Sequence, residues 1–259
     1  MGDPVVLRLM VPGPLPALLT DRRITEVKRV GQFLRFSLEG GLFLVVNAML
    51  TGRYALVGPG KSRASKALIL AMRLENGIEL QYSDETRMGK IYVAKAQHLA
   101  EIPGFRDLGV DLLSPDFTLD RFRTLACKRR EQVRQFLLDK TALASIGNAY
   151  ADEILFAAKL HPKTFCHQLH PEDVDRLFAA VRDTLAWAMD EIEARDQPIE
   201  NKVRDFLKVR GRAGQPCATC TTIIRKVRVG RDDACFCPTC QPTTRKLFVD
   251  FSKLPGQRN

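Results

Sequence analysis

Two Cys-x-x-Cys pairs near the C-terminus constrain this chain more than any other stretch. Cys217-Ala-Thr-Cys220 and Cys237-Pro-Thr-Cys240 stand 16 residues apart. Each short turn can aim two sulfurs the same way, and two such turns facing each other satisfy the tetrahedral demand of Zn²⁺. Between them runs Thr221-Thr-Ile-Ile-Arg-Lys-Val-Arg-Val-Gly230, β-branched and basic, with a glycine where a hairpin turns. The spacing predicts a zinc-pinned β-hairpin with Cys217, Cys220, Cys237 and Cys240 as ligands to one structural ion. A closed four-thiolate site leaves no open position for catalysis. Two disulfides, four unrelated cysteines, or Cys235 in place of Cys237 are the competing readings. Cys127 and Cys166 read as ordinary buried thiols.

The charge pattern points to a polyanion. The net charge is +10, and residues 201–259 hold 13 Lys and Arg against 4 Asp and Glu. A cluster of this sign around a rigid hairpin is the footprint of a nucleic-acid surface; a solvated basic face is the plainer alternative. The chain has no apolar run of 18 residues and no signal-peptide pattern at its start, which argues against a membrane partner. Thiols in a metal pattern suit a reducing compartment, so a cytoplasmic, nucleoid-associated setting is expected.

The 259 residues suffice for one large domain or two ordinary ones. Residues 5–112 read as short strands: Ile24–Val30, Phe33–Leu38, Leu42–Val46, Ala67–Leu74, Ile78–Tyr82 and Ile91–Ala94, with Gly40-Gly41 and Asn76-Gly77 as turns. From 116 the apolar period becomes helical, with a first helix from Thr118, a second over Arg130–Leu138, a third over Ala151–Leu160 and a long one from His170 to about Ala194. Val203–Leu207 adds a short piece before the hairpin. The expected fold is α+β: an N-terminal antiparallel β-sandwich over 1–112, a helical domain over 113–210, and a zinc-bound hairpin with its tail over 211–259. Between two helices, Ile146-Gly-Asn148 offers a sharp turn, a capping side chain and a helix N-terminus suited to a phosphate.

The segment Asp139–Pro162 resembles the helix–two-turn–helix signature of the formamidopyrimidine-DNA glycosylase / endonuclease VIII family. Gly211–Cys217 and Phe236–Gln241 look like that family's zinc-finger borders, Leu108–Phe117 like its interdomain segment, and Asp84-Glu-Thr-Arg-Met-Gly89 is similar to its D-P-R-R-F-G loop. The resemblance implies base excision repair on double-stranded DNA carrying a damaged base or an abasic site, by a monomeric enzyme that turns the lesion out of the stack and cuts through a Schiff base. It implies phosphate contacts for Asn148 and Arg231. It puts Leu50 where the family has an intercalating methionine, and Arg87 and Met88 near its arginine and phenylalanine wedges; for Leu50 and Met88, core packing is the competing reading. A third, weaker reading is an RNA-binding zinc-finger protein.

The catalytic positions depart from the family. Its opening Pro-Glu nucleophile and acid, and the helix they begin, have no match in Met1-Gly-Asp-Pro4; Pro4 follows Asp3 and offers no amine. After loss of Met1, the Gly2 amine beside Asp3 would be only a crude imitation of that pair. Gln32 stands where the family has a strand lysine, and Asn47 where it has a histidine. Schiff-base chemistry needs an uncharged amine, and base departure needs a proton donor. The chain therefore reads either as a glycosylase/lyase whose start is truncated or misassigned, or as a degenerate paralogue that binds damaged or bent DNA without cleaving it. The short link between Leu207 and Gly211 looks more like endonuclease VIII-type members than like those with a long base-covering loop.

Overall fold

A computed structural model describes residues 6–59, 61 and 66–243. The expectations resting on Met1–Pro4, and the basic tail beyond 243, lie outside these residues. Contacts divide the chain into two compact units: Met1–Asp111 with Leu143–Ser145 and Asp190–Asp205, and Leu112–Ala142 with Ile146–Met189 and Phe206–Asn259.

The first unit begins with β1 (Leu7–Leu9) and a short α1 (Leu15–Leu19), followed by β2 (Ile24–Val30), β3 (Phe33–Leu38), β4 (Leu42–Asn47), β5 (Arg53–Val57), β6 (Leu68–Arg73), β7 (Glu79–Ser83) and β8 (Lys90–Lys95). One sheet has the order β1-β8-β4-β3-β2, the other β5-β7-β6. All these pairings are antiparallel except β1 with β8. Phe36, Leu44, Val46 and Ile91 of the larger sheet share one core with Leu70 and Tyr82 of the smaller, so the two sheets form a sandwich. On the opposite face of the larger sheet, Phe33, Val45 and Tyr92 pack with Ile102 and Phe105. Covering on both faces explains why β4 is almost continuously apolar instead of alternating. A two-residue parallel pair, β9 (Val110–Asp111) with β10 (Leu143–Ala144), completes this unit. The helix α1, the strands β1 and β5 and this pair are elements the sequence reading did not contain.

The second unit holds α2 (Leu119–Cys127), α3 (Val133–Leu138), α4 (Asn148–Ala157), most of α5 (Pro171–Ala194) and the hairpin β11 (Arg225–Val229)–β12 (Asp232–Phe236). Thr118 caps α2 through its hydroxyl, which accepts from the Arg121 amide. Phe117, Phe122, Phe136 and Phe178 pack ring against ring at 5.0–5.8 Å. Several expectations need correction. The second helix starts at Val133, not Arg130, because Gln132 and Gln135 form a capping box there. The short piece Val203–Leu207 is irregular, with a turn at Asp205–Phe206. Cys127 is exposed at the end of α2; Cys166 is buried, and burial pushes its thiol up to about 12. Among the described residues no helix is long and apolar enough to cross a membrane.

His161, buried just after α4, packs edge-on against Phe236 at 4.7 Å and accepts at Nδ1 from the Lys163 amide. Burial, reinforced by Lys163, lowers its pKa to about 4. The unfolded chain binds this proton near pH 6.5 and the folded one near 4, so stability present above pH 6.5 is lost as pH falls through that window. The loss amounts to about 3 kcal/mol. Denaturant titrations at pH 7 and pH 4.5 check it: His161→Asn is expected to shrink the difference between the two pH values, and an unchanged difference contradicts the assignment.

Candidate metal centre and nucleic-acid interface

The sulfurs of Cys217, Cys220, Cys237 and Cys240 lie within 4.8 Å of one another. Individual separations are 3.9 Å for Cys217–Cys240 and 3.4 Å for Cys220–Cys237 and Cys220–Cys240. Four sulfurs around a tetrahedral Zn²⁺ at about 2.3 Å stand about 3.8 Å apart, so the cluster fits the ion. None of these distances is a disulfide. The Cys235 thiol is not part of the cluster and packs instead with Phe156 and Ile224. The protonation pattern also fits a cation: hydrogen bonds from Thr222 hold the Cys220 thiol down near 6, while burial and the neighbouring sulfurs push Cys240 up. A dication holds all four as thiolates and removes that conflict.

The finger is fastened to α4 by a buried ionic network. Arg134, on α3, is 0% exposed. Its Nε donates to Asp152 Oδ1 at 2.8 Å, and its Nη2 donates to Asn148 Oδ1 at 3.0 Å and to the Asp233 carbonyl at 3.3 Å. The other oxygen of Asp152 accepts from Arg210 and from the Cys235 amide, both at 2.9 Å. Glu153 accepts the three successive amides of Lys208, Val209 and Arg210. Gln241 bridges the Cys237 amide to the Leu160 carbonyl.

This network brings two of the expected DNA residues into one frame. Asn148 is the first residue of α4, with Gly147 in the cap position and no side-chain cap bond, which corrects the reading of Asn148 as the cap. Its Oδ1 is turned toward Arg134, leaving the amide NH₂ as its remaining polar group. Arg231 is exposed in the two-residue β11–β12 turn, where Gly230 has a φ of +62°. Asp233, held by Arg134 and Arg210 through its carbonyl, lies two residues on.

In the first unit, Leu50 is 62% exposed and Met88 42% exposed, which overturns the core-packing reading of both. Their loops are tied together by Asp84, whose Oδ1 accepts from the Thr51 hydroxyl at 2.5 Å and whose Oδ2 accepts from the Gly89 amide at 2.6 Å. Burial opposes the Asp84 charge, but the bonds from Thr51, Gly89 and Thr86 outweigh it and hold the carboxyl below its usual range. A Cβ at Gly89 would meet the Tyr82 hydroxyl at 1.9 Å, so the loop closes on that strand only with glycine. Met49 and Arg87 both have positive φ, 49° and 53°. Non-glycine residues rarely adopt this conformation; Met49 and Arg87 are two of seven described non-glycine residues that do.

Gln32 sits in the β2–β3 turn with Oε1 buried and unbonded among the described residues. Asn47 ends β4, is nearly buried, and accepts at Oδ1 from the Met49 amide at 3.1 Å, so it starts the turn that carries Leu50. Neither supplies an amine.

Three family models match the chain: the formamidopyrimidine-DNA glycosylase N-terminal domain over residues 2–91, its H2TH domain over 108–197, and a zinc finger found in FPG and IleRS over 214–243. The formamidopyrimidine-DNA glycosylase of Pelotomaculum thermopropionicum is 30% identical over 247 residues, covering 92% of this chain and 88% of the relative. That of Symbiobacterium thermophilum is 32% identical over 254 residues, covering 95% and 83%. Among solved structures, the MutM (FPG) protein from Thermus thermophilus is similar at 33% identity and a TM-score of 0.77, covering 87% of this chain and 85% of that one. Lactococcus lactis Fpg in complex with abasic-site DNA gives 25% and 0.78, covering 87% and 84%.

Proposed function

Because this chain belongs to the formamidopyrimidine-DNA glycosylase family, we propose that it binds duplex DNA carrying a damaged base or an abasic site and acts in base excision repair, in the cytoplasm at the nucleoid. The observation that carries the reading is the pair of loops joined by Asp84, which holds Leu50 and Met88 out of the core. Apolar side chains on water-facing loops gain nothing for the fold; inserted into a duplex they fill the space left by an extruded base. Arg87 supplies a cation beside them. Asn148 and Arg231 hold the strand through its phosphates. The four-Cys zinc site sets the hairpin and carries no chemistry itself.

Binding to a duplex with a tetrahydrofuran abasic analogue, measured by fluorescence anisotropy against salt concentration, tests this. Affinity is expected to fall linearly on a log–log plot. Asn148→Ala is expected to weaken binding about fivefold for every flanking sequence, because a phosphate contact positions without reading bases. Arg231→Ala should also lower the salt slope by about one. Absence of salt-dependent binding, or a loss confined to particular sequences, contradicts the reading.

A second reading, binding without cleavage, is favoured by Gln32 and Asn47, which replace groups the family uses in chemistry. Strand nicking at a natural abasic site separates the two.

A further inference from the structure

A wedge discriminates best when it meets the duplex already shaped, because each side chain ordered on contact takes back part of the free energy gained. Leu50 lies on the loop between β4 and β5, and Met88 on the loop between β7 and β8. Chain order does not fix one against the other; a buried carboxylate does. Asp84 Oδ1 accepts from the Thr51 hydroxyl of the first loop at 2.5 Å and from the Thr86 amide of the second at 3.2 Å, and its Oδ2 accepts from the Gly89 amide at 2.6 Å. The Thr51 proton goes to Asp84, so Thr86 is the donor in the 2.5 Å contact between the two threonine hydroxyls. A phenol lies against both loops. A Cβ on Gly52 would come within 2.4 Å of the Tyr82 hydroxyl, as one on Gly89 would within 1.9 Å. Arg53 holds the first loop from its C-terminal side, donating to the Leu50 carbonyl at 3.3 Å and to the Gly52 carbonyl at 2.6 Å. The phosphate contacts assigned to Asn148 and Arg231 use none of these groups.

We propose that Asp84 is the positioning residue of a single preformed wedge, and that through it the protein distinguishes a duplex lacking a base from an intact one. The proposal rests on the DNA-binding reading above. Filling the hole needs Leu50 and Met88 in a fixed relation to each other; holding phosphates does not. Loosening the tie therefore lowers affinity for the duplex with the hole and spares affinity for intact duplex, which depends on phosphate contacts alone. A fault in folding would lower both alike. Asp84→Asn keeps the side chain's shape but sets an NH₂ against one of the three donors. Thr51→Val removes one hydroxyl at nearly constant shape, and Thr51→Ser keeps that hydroxyl.

The test is a pair of anisotropy titrations on the full zinc-loaded chain, with two duplexes of one sequence, the first carrying a tetrahydrofuran abasic analogue and the second undamaged. The quantity read is the ratio of the two affinities. Asp84→Asn is expected to lower that ratio by about tenfold, the scale of losing a hydrogen bond to a charged group, while affinity for the undamaged duplex and its salt slope stay at the wild-type values. Thr51→Val should lower the ratio in the same direction, and Thr51→Ser should restore it. A ratio unchanged in both Asp84→Asn and Thr51→Val overturns the proposal. So does an equal loss on both duplexes, which would give Asp84 a role in folding only. Both results leave the DNA-binding reading standing. A wild-type chain that binds neither duplex removes that reading and the role of Asp84 with it. Thr51→Val, made on a loop with its shape kept, decides the matter even if Asp84→Asn fails to fold.

Discussion

Serine in place of Cys237 is expected to cost the chain its zinc. Cys237 is fully buried, and its amide is held by Gln241, so a replacement hydroxyl stays where the sulfur was but is a poor ligand for this ion. The other three thiolates cannot close a tetrahedron. A structural zinc contributes about 10–16 kcal/mol in small fingers, and that energy is folding energy. The finger's own apolar interior is small: Val209, Ile224 and the cysteines, set against Phe156. The hairpin carrying Arg231 should therefore lose its shape, and DNA affinity should fall by more than the about fivefold expected of Asn148→Ala alone. Zinc released under denaturing conditions, measured colorimetrically per mole of protein, is expected to drop from one to near zero. Cys235→Ser is the matched control, because its thiol is outside the cluster; it should keep the ion. Wild-type zinc content in Cys237→Ser would refute the ligand assignment.

The parts of this molecule legible in the sequence are those whose signal is local. Two Cys-x-x-Cys turns declare their own geometry. Asn76-Gly77 announces a hairpin, and Gly77 has a φ of +80°. The 24-residue α5 is long enough for its period to stand out. What escaped is short or depends on partners. Arg53–Val57 is five residues and becomes a strand because β7 pairs with it along its whole length. Leu7–Leu9 is three residues beside β8. Leu50 and Met88 could not be told from core residues by type, because the same side chains serve both ends; only their place on loops tied by Asp84 decides. Asn148 looked like a cap because its residue type favours one, whereas Gly147 takes that position and Arg134 takes the side chain. The Arg134–Asp152–Arg210 network left no trace in the sequence: its members are 18 and 58 residues apart, and each alone reads as part of a solvated helix or loop.

That network carries the second large effect. Asp152→Ala removes the acceptor of Arg134, Arg210 and the Cys235 amide at once. Arg134 then remains fully buried without its carboxylate, and one of its nitrogens, Nη1, has no hydrogen-bond partner among the described residues even in the intact network. Breaking a buried pair in this way costs about 3–5 kcal/mol, or about 10–20 °C in melting temperature for a unit of this size. By contrast, Arg123→Ala breaks a half-exposed pair with Asp175 of equally short geometry, 2.6 Å, and should cost far less, because water screens both charges. Distance alone would rank the two pairs alike; burial separates them. The double variant Asp152→Ala with Arg134→Met distinguishes the cause. If the cost is an uncompensated buried charge, replacing that charge with an apolar chain recovers part of the loss, and the two substitutions are far from additive. Arg210, partly exposed, can turn toward water and needs no compensation. Recovered stability should not restore DNA affinity, because Arg134 also orients Asn148 and holds the Asp233 carbonyl beside Arg231. Additive losses, or a melting temperature of Asp152→Ala equal to that of wild type, would show that the finger is held by its zinc and apolar contacts alone.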